Sequence, residues 1–500
     1  MAVNHIYRHS LALLTDLYQL TMAYGYWKLG RTEERAVFHL FLRGNAFGGG
    51  YTVAAGLGYV TEFVQSLRFS PDDTAHLATL NGNDGEPLFE PAFLRYLEGL
   101  RFTVDVDAVP EGTAMFPHQP LLRVVGPLLQ GQLLETPLLN AINFQSLIAT
   151  KAARICAAAD GEPVLEFGLR RAQGIDGALA ASRAAFIGGC AATSNVLAGK
   201  LFGIPVRGTH AHSWVMSFDD ELDAFDAYAE VMPNNCVLLV DTYDTLVGVR
   251  RAIEVGRRLR ERGRKLIGVR LDSGDLAYLS QEARRVLDEA GFEDTAIVAS
   301  NDLDEHIIMS LKDQGAAIGV WGVGTKLVTA YDQPALSGVY KLTAIGDNSG
   351  PWQPKVKISE QTAKVSTPGI LQVRRFREAD LGNGHSRRYV ADMTYDIELG
   401  PNGHGDSQHT VVDPTDSTRR KLVECALPHD DLLIPVIRNG SPVGEPETLE
   451  QIRARLRAEL SGLHPSVKRF LYPHEYPAGL ELRLHELKTR LILEARGYDQ

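Results

Sequence analysis

Short apolar runs alternate with amphipathic segments through the middle of the chain. Six runs have the length and composition of buried strands: 163–167, 204–208, 236–241, 265–272, 295–300 and 317–324. The clearest helical stretches between them are 219–232, 245–263 and 276–291. Continuous apolar strands separated by amphipathic helices are typical of a parallel sheet covered by helices. The pattern predicts an α/β fold, an irregular or incomplete (β/α) barrel of parallel strands, with an open doubly wound sheet as the alternative.

The flanking segments follow a different pattern. It predicts a helix at 14–30, strands at 35–43 and 101–112, a long helix at 131–159, and charged amphipathic helices at 447–461 and 478–496. The polar stretches 346–354 and 398–420 have the composition of surface loops. We therefore predict three domains. They are an N-terminal α+β domain over 1–135, an α/β barrel catalytic domain over 136–346, and a smaller C-terminal lobe over 347–500 packed against the N-terminal domain.

Composition places the chain among ordinary globular proteins. Of its 500 residues, 44% are hydrophobic and 23% charged, which excludes disordered and collagen-like classes. The net charge of −11 argues against nucleic acid as a partner. We find no run of about 20 apolar residues that could span a membrane. The N-terminus lacks the pattern of a secretory signal.

The four cysteines fit neither a CxxC pair nor a zinc pattern. They are Cys156, Cys190, Cys236 and Cys425. We interpret them as reduced, mostly buried thiols. This interpretation predicts a cytoplasmic protein.

Polar side chains follow every predicted strand of the α/β region. They are Arg170 and Arg171; Thr209, His210, His212 and Ser213; Asp241 and Asp244; Arg270, Asp272 and Asp275; Ser300, Asn301 and Asp302; and Gly322, Gly324, Thr325 and Lys326. The carboxyl ends of parallel strands meet at one edge of a sheet, where such folds carry their chemistry. We therefore expect these side chains to converge.

The residue types at this edge suit a phosphorylated ligand. Arginine forms bidentate contacts with phosphate, and the Gly-x-Gly-Thr turn lets backbone N–H groups approach an oxyanion. Aspartates beside them would repel phosphate unless Mg²⁺ bridges carboxylate and substrate oxygens. A histidine in this setting can act as a base or attack phosphorus. The combination predicts a site for a sugar phosphate or nucleotide with Mg²⁺.

Each residue also has a purely structural interpretation. Arg170 and Arg171 could form surface ion pairs, and a lone Gly-x-Gly-Thr is usually only a turn. Asp241 and Asp272 could cap the helices that follow them. Only the joint occurrence of these residues at successive strand ends favours a functional site.

Seven segments resemble the nicotinate phosphoribosyltransferase family, in that family's order. They are LLTDLYQLTMAYGYW (13–27), FHLFLRGNAFGGG (38–50), EFGLRRAQGIDG (166–177), SNVLAGKLFGIPVRGTHAHSWV (194–215), LLVDTYDT (238–245), GVRLDSGDL (268–276) and GVGTKLVT (322–329). The segment LSGVYKL (336–342) also fits. Ala46 departs from the family pattern, which usually has Pro there, and this affects only the shape of the local turn.

The resemblance implies an activity and its co-substrates. Members join nicotinate to 5-phosphoribosyl 1-diphosphate (PRPP), giving nicotinate mononucleotide and pyrophosphate as the first step of NAD salvage from nicotinate. They couple this ligase-type C–N bond formation to ATP hydrolysis through a phosphohistidine. The resemblance also implies Mg²⁺ held by the substrate, no resident metal site, and a homodimer whose partners are otherwise the small molecules nicotinate, PRPP and ATP.

The resemblance also implies roles for individual residues. They are His212 as the phosphorylated histidine; Asp272 as a second catalytic residue; Tyr18 stacking on the pyridine ring; Thr209 and Arg270 contacting nicotinate; Thr325 and Gly324 contacting PRPP; Arg171 binding pyrophosphate; and Asp241, with Asp272, facing ribose and magnesium. His210 receives no chemical role. The rivals are a nicotinamide phosphoribosyltransferase, a non-catalytic pyridine-nucleotide or sugar-phosphate binding protein, and, more weakly, an aldolase or isomerase barrel.

Overall fold

The computed structural model describes residues 11–347, 350–361, 364–379, 388–401 and 407–498. Its α-helices are α1 (Leu17–Lys28), α2 (Leu57–Ser66), α3 (Pro71–Leu77), α4 (Pro91–Gly99), α5 (Leu128–Leu133), α6 (Glu135–Ala159), α7 (Gly174–Ile187), α8 (Val196–Phe202), α9 (His212–Met216), α10 (Glu221–Val231), α11 (Thr245–Glu261), α12 (Leu276–Glu289), α13 (Glu305–Asp313), α14 (Thr325–Val328), α15 (Leu449–Gly462) and α16 (Leu482–Ala495). Short 3-10 helices include Leu11–Leu13, Ala46–Gly48, Leu169–Arg171 and Pro465–Lys468.

The strands are β1 (Arg35–Leu42), β2 (Thr52–Val53), β3 (Asp105–Ala108), β4 (Ala114–Met115), β5 (Pro120–Pro127), β6 (Val164–Glu166), β7 (Ala192–Thr193), β8 (Val237–Leu239), β9 (Gly268–Leu271), β10 (Ala296–Ala299), β11 (Val320–Val323), β12 (Gly338–Gly346), β13 (Gln353–Pro354), β14 (Leu371–Arg377), β15 (Tyr389–Asp396), β16 (Gln408–Val412), β17 (Arg420–Glu424), β18 (His429–Asp431), β19 (Ile434–Arg438), β20 (Ser441–Pro442) and β21 (Ala478–Glu481).

The chain divides into two compact units. The first unit comprises Met1–Ser146 together with Ala335–Gln500, and the second comprises Leu147–Pro334. Compact units need not coincide with domains that fold independently. The predicted domains 1–135, 136–346 and 347–500 therefore stay a prediction.

The second unit contains a six-stranded parallel sheet. Its strand order is β7-β6-β11-β10-β9-β8, and every neighbouring pair is parallel. Its strands are short apolar runs whose side chains are largely buried, among them Leu238, Val269 and Trp321. The α/β class and five of the six predicted strands are confirmed. Backbone pairing in the described residues does not close this sheet, so the barrel stays a prediction.

The predicted strand at 204–208 is wrong in its extent. Only Val206 pairs, through a single parallel bridge to Thr193. Pro205 has no N–H group to donate, so a continuous ladder cannot form there. The unpredicted strand β7 (Ala192–Thr193) pairs with β6 beside this segment instead.

The first unit is built from mixed and antiparallel sheets. One sheet has the order β13-β12-β1-β5-β3-β19-β20 with antiparallel neighbours, so strands from both ends of the chain share it. A second has the order β17-β16-β21-β15-β14-β18 and contains one parallel pair, β15 with β21. The loop predicted at 398–420 is wrong for β16, whose residues pair with β17 and β21. Residues 348–349 and 402–406 of the two predicted loops lie outside the described residues.

Two further expectations concern cysteines and membranes. All four cysteines are free thiols; Cys190 and Cys236 are buried, and Cys156 and Cys425 are half-buried. Among the residues that the structure describes, we find no helix with the length and apolar character needed to cross a bilayer.

Candidate active site

Arg270 lies at the carboxyl end of β9 and is held by three strand-end segments. Its Nε donates to Ser300 Oγ at 2.9 Å, after β10. Its terminal nitrogens donate to Thr209 Oγ1 at 3.1 Å and to Asp272 Oδ1 at 3.0 Å. The side chain is only 13% exposed. The expected convergence of strand-end residues is therefore present around this guanidinium.

Two aspartates from neighbouring strands form the next layer of this cluster. Asp241 follows β8, and its Oδ2 accepts hydrogen bonds from the backbone N–H of Asp272 at 2.8 Å and from Ser273 Oγ at 2.6 Å. Asp241 Oδ1 is buried and has no hydrogen-bond partner among the described residues. Ser300 Oγ also donates to Asp272 Oδ1. One carboxylate oxygen of Asp241 is thus left for a ligand.

His212 is the first residue of α9 and lies beside Asp272. Its Nδ1 is 3.1 Å from Thr242 Oγ1, and its Nε2 is 3.8 Å from Asp272 Oδ2. Its side chain is 39% exposed. When Nδ1–H donates to Thr242, Nε2 carries the lone pair, because the hydrogen bond of one ring nitrogen fixes the state of the other. An accessible nucleophilic nitrogen is then available at this edge.

The aspartates that cap helices differ from those in the cluster. The N-cap of α11 is Asp244, whose Oδ1 accepts from Val247 N–H, and the N-cap of α12 is Asp275. Asp241 and Asp272 cap neither helix. The interpretation of these two residues as helix caps is therefore wrong.

We expect Asp244→Ala to affect stability rather than catalysis. Loss of the N-cap hydrogen bond should lower the free energy of unfolding by about 1 kcal/mol. The KM values of the substrates should not change, because Asp244 caps α11 and contacts none of the clustered side chains. Thermal unfolding together with steady-state kinetics checks both expectations. Asp244→Asn, which retains a capping oxygen, is the matched control.

The loop after β6 carries Arg171 and is fixed by a buried carboxylate. Glu166 accepts hydrogen bonds from Ser182 Oγ at 2.8 Å, from Thr193 Oγ1 at 2.5 Å and from the backbone N–H of Gly168. Arg171 is exposed, and its guanidinium forms no ion pair within the described part of the chain. A surface ion-pair role for Arg171 thus finds no support, and its predicted phosphate contact stays a prediction.

The loop after β11 carries Gly324 and Thr325 and packs closely on the loop after β6. A Cβ on Gly168 would lie 2.3 Å from Val328 Cγ1, so only glycine permits this approach. Thr325 is half-buried, and its hydroxyl makes no hydrogen bond to a described residue. Lys326 Nζ donates to Asp304 Oδ2 at 2.6 Å, which ties this loop to the one after β10. The structure therefore places Gly324 and Thr325 at the edge that carries Arg270, but without direct contact to it.

Tyr18 belongs to the first unit. It lies on α1 with its side chain 48% exposed. Partial burial, followed by the charges of Glu135 and Asp16, raises its pKa. Its ring is available for stacking, and its predicted contact with the pyridine ring stays a prediction.

Several residues of the cluster were not singled out by sequence reasoning. They are Phe167, Thr242 and Ser273. The Phe167 ring lies 5.8 Å from the Arg270 guanidinium, and Thr242 and Ser273 bind His212 and Asp241. Thr242 and Ser273 each follow a predicted strand-end aspartate by one residue, a position that could have identified them.

The chain matches three family models in succession. They are the nicotinate phosphoribosyltransferase N-terminal domain over residues 13–143, the nicotinate phosphoribosyltransferase family over 163–366, and the nicotinate phosphoribosyltransferase C-terminal domain over 384–488.

Curated relatives match over nearly their whole length. The chain is 44% identical to nicotinate phosphoribosyltransferase of Bacillus subtilis over 492 residues, covering 96% of this chain and 97% of the relative. It is 37% identical to nicotinate phosphoribosyltransferase of Homo sapiens over 535 residues, covering 96% of each.

Solved structures agree with this result. The crystal structure of human nicotinic acid phosphoribosyltransferase superposes with a TM-score of 0.81 at 35% identity, covering 95% of this chain and 99% of that one. Nicotinate-nucleotide pyrophosphorylase from Pyrococcus furiosus superposes with a TM-score of 0.67 at 22% identity, covering 92% and 97%, which shows a shared fold.

Proposed function

Because the chain belongs to the nicotinate phosphoribosyltransferase family, we propose that it condenses nicotinate with PRPP in the biosynthesis of NAD. The proposed reaction converts nicotinate, PRPP, ATP and water into nicotinate mononucleotide, pyrophosphate, ADP and phosphate. The reaction transfers a pentosyl group, and its coupling to ATP hydrolysis gives it the character of a ligase reaction. One observation supports the proposal most strongly: Arg270 is held by hydrogen bonds to Ser300, Thr209 and Asp272 and still has unused N–H donors.

The donor count of Arg270 supports an acidic pyridine substrate. A guanidinium has five N–H donors, and three are engaged with Thr209, Asp272 and Ser300. One donor remains on each terminal nitrogen, which suits the two oxygens of a carboxylate. The nucleophile is the pyridine nitrogen, which needs orientation rather than a strong base. Stacking on Tyr18 would supply part of that orientation by holding the plane of the ring.

One carboxylate oxygen of Asp241 supports a role for Mg²⁺ that arrives with the substrate. Asp241 offers one free carboxylate oxygen, a donor that Mg²⁺ prefers. When bound, Mg²⁺ would offset the negative charge that develops on the leaving pyrophosphate. Asp241 and Asp272 would hold it, and Thr325, Gly324 and Arg171 would bind PRPP oxygens.

We expect Asp241→Asn to weaken productive binding of PRPP. The amide retains an oxygen for the Asp272 N–H and Ser273 hydroxyl but loses the negative charge. The KM for PRPP or the Mg²⁺ concentration needed for half-maximal rate should rise at least about 10- to 100-fold, the loss that follows even when only a group supporting a metal's ligands is replaced. Initial rates over a grid of PRPP and Mg²⁺ concentrations measure this. Equal parameters for Asp241→Asn and wild type would remove Asp241 from the proposed site.

His212 supports the coupling to ATP. Its Nε2 would attack the γ-phosphorus of ATP, forming an N–P bond while the bond from phosphorus to the bridging oxygen breaks and ADP leaves with the electron pair. Thr242 would keep the proton on Nδ1, and Asp272 would face the ring as it gains positive character. Water later attacks phosphorus, so that the N–P bond breaks and phosphate is released.

The deciding experiment compares nicotinate with nicotinamide under identical conditions. With PRPP, ATP and Mg²⁺, we expect nicotinate mononucleotide, pyrophosphate and ADP from nicotinate and far slower turnover of nicotinamide, which lacks the charge that Arg270 would bind. Preference for the amide would favour a nicotinamide phosphoribosyltransferase. Binding of PRPP without pyrophosphate release would favour a non-catalytic binding protein.

The proposal includes a cytoplasmic homodimer. Apolar side chains exposed on α8 support a partner surface; they are Val196, Leu197 and Leu201. The four free cysteines are in keeping with a reducing compartment. Sedimentation equilibrium of the purified chain tests the dimer.

A further inference from the structure

His210 is buried, and in the sequence it lies between Thr209 and His212, two residues of the candidate site. Its ring lies 4.6 Å from the Tyr228 ring in a T-shaped contact and 6.4 Å from the Phe225 ring, both on α10. The preceding residue, Thr209, contacts Arg270, and His212, two residues later, contacts Thr242. His210 thus anchors the middle of a segment whose ends contribute to the site.

Both ring nitrogens of His210 have defined partners. The backbone N–H of Leu239 in β8 donates to Nε2 at 3.2 Å, so Nε2 carries the lone pair. Nδ1 lies 3.3 Å from the carbonyl oxygen of Ala211 and donates its proton to it. Burial lowers the pKa of His210 to about 4, against a smaller opposing effect of the Ala211 hydrogen bond. The ring is therefore neutral near pH 7, with its proton on Nδ1.

The partner of His210 lies at an open edge of the parallel sheet. Leu239 is the last residue of β8; the N–H of the next residue, Val240, donates to the Arg270 carbonyl of β9, and the N–H of Leu239 points the opposite way. At the other end of the sheet, Val206 bridges to Thr193. The imidazole therefore takes the place of a backbone carbonyl on the free side of β8. The 206–210 segment thus contacts both edge strands of the sheet, β7 through Val206 and β8 through His210.

We propose that His210 is a positioning residue. By accepting the hydrogen bond from Leu239 it joins the 206–210 segment to the free edge of β8, which closes the sheet there. It thereby places Thr209 beside Arg270 and His212 beside Asp272. It touches no reacting atom in this role. The part of the proposal that concerns catalysis rests on the proposed function, whereas the part that concerns closure of the sheet does not. The competing interpretation is a buried histidine that contributes packing alone.

Two variants separate positioning from packing. His210→Leu fills the space with an apolar side chain of similar size but removes the acceptor, and His210→Gln can present an amide oxygen to the N–H of Leu239. We expect His210→Leu to speed deuterium exchange in peptides covering 236–241 and to lower kcat about 10- to 100-fold, as displaced catalytic groups do. His210→Gln should restore slow exchange and bring kcat to within about threefold of wild type.

A third measurement does not depend on how the variants fold. The ¹⁵N spectrum of His210 in the wild-type protein at pH 7 should show a protonated Nδ1 and an unprotonated, hydrogen-bonded Nε2. A protonated Nε2 would overturn the proposal, as would equal exchange and equal kcat in wild type and a folded His210→Leu. Loss of kcat shared equally by the Leu and Gln variants would assign His210 to packing. If wild type does not convert nicotinate, the proposed function fails, and exchange and tautomer still decide whether His210 closes the sheet.

Discussion

Replacing Arg270 with Leu is expected to lower kcat/KM for nicotinate at least about 30-fold. Truncating one partner of a buried, hydrogen-bonded charge pair costs about 2–5 kcal/mol. Two effects combine here: the substrate carboxylate loses its bidentate partner, and Asp272 keeps a negative charge without Arg270 beside it. Initial rates at varied nicotinate and fixed, saturating PRPP measure the change.

The Arg270→Leu variant should weaken recognition of the substrate's carboxylate rather than binding of its ring. Nicotinamide has no carboxylate to lose, so its low efficiency should fall much less, and the preference for the acid should shrink. Arg270→Lys should lie between wild type and Leu because an ammonium cannot bind two oxygens in the planar arrangement of a guanidinium. Arg250→Leu, on the exposed surface of α11, is the control for removing a positive charge. An equal loss for both bases would assign Arg270 to the architecture of the site instead of carboxylate recognition.

The central sheet could be predicted because its signal is local. Strands such as 236–241 and 295–300 are apolar runs bounded by helices, and the structure places β8 and β10 inside them. The errors arose where tertiary pairing decides the outcome. Val206 forms one bridge because Pro205 interrupts the ladder, and the polar segment around β16 becomes a strand because β17 and β21 supply hydrogen-bond partners.

The site was predictable in composition but not in its hydrogen bonds. Parallel topology brings Arg270 and Ser300 to one edge, since they end and follow the inner strands β9 and β10. Thr209 reaches the same edge because it follows Val206, which bridges in parallel to β7. Sequence could not decide whether Asp241 or Asp244 caps α11, because both precede the helix by a few residues. The role of His210 was invisible for a similar reason: its partner is the backbone N–H of Leu239, which carries no side-chain signal.

Replacing His212 with Gln is expected to abolish the coupling to ATP. Glutamine keeps a polar side chain near Thr242 but has no nucleophilic nitrogen, so nicotinate-dependent ADP release should fall by on the order of a thousandfold or more. Some uncoupled formation of nicotinate mononucleotide should remain, because Arg270, Asp241 and Thr325 are unchanged. PRPP should bind more weakly, since this variant cannot form the proposed phosphohistidine, whose negative charge would favour Mg²⁺ near Asp272.

Labelling with γ-³²P-ATP tests the intermediate directly. Wild type should acquire label that is stable to base and released by acid, as expected of a phosphoramidate, and His212→Gln should acquire none. His306→Gln, at an exposed histidine of α13 in the same unit, should label and couple like wild type. Label retained in His212→Gln, or ATP stimulation equal to wild type, would move the nucleophile to another residue. The 3.8 Å approach of Asp272 to Nε2 would then be only an ion-pair contact available to a protonated ring.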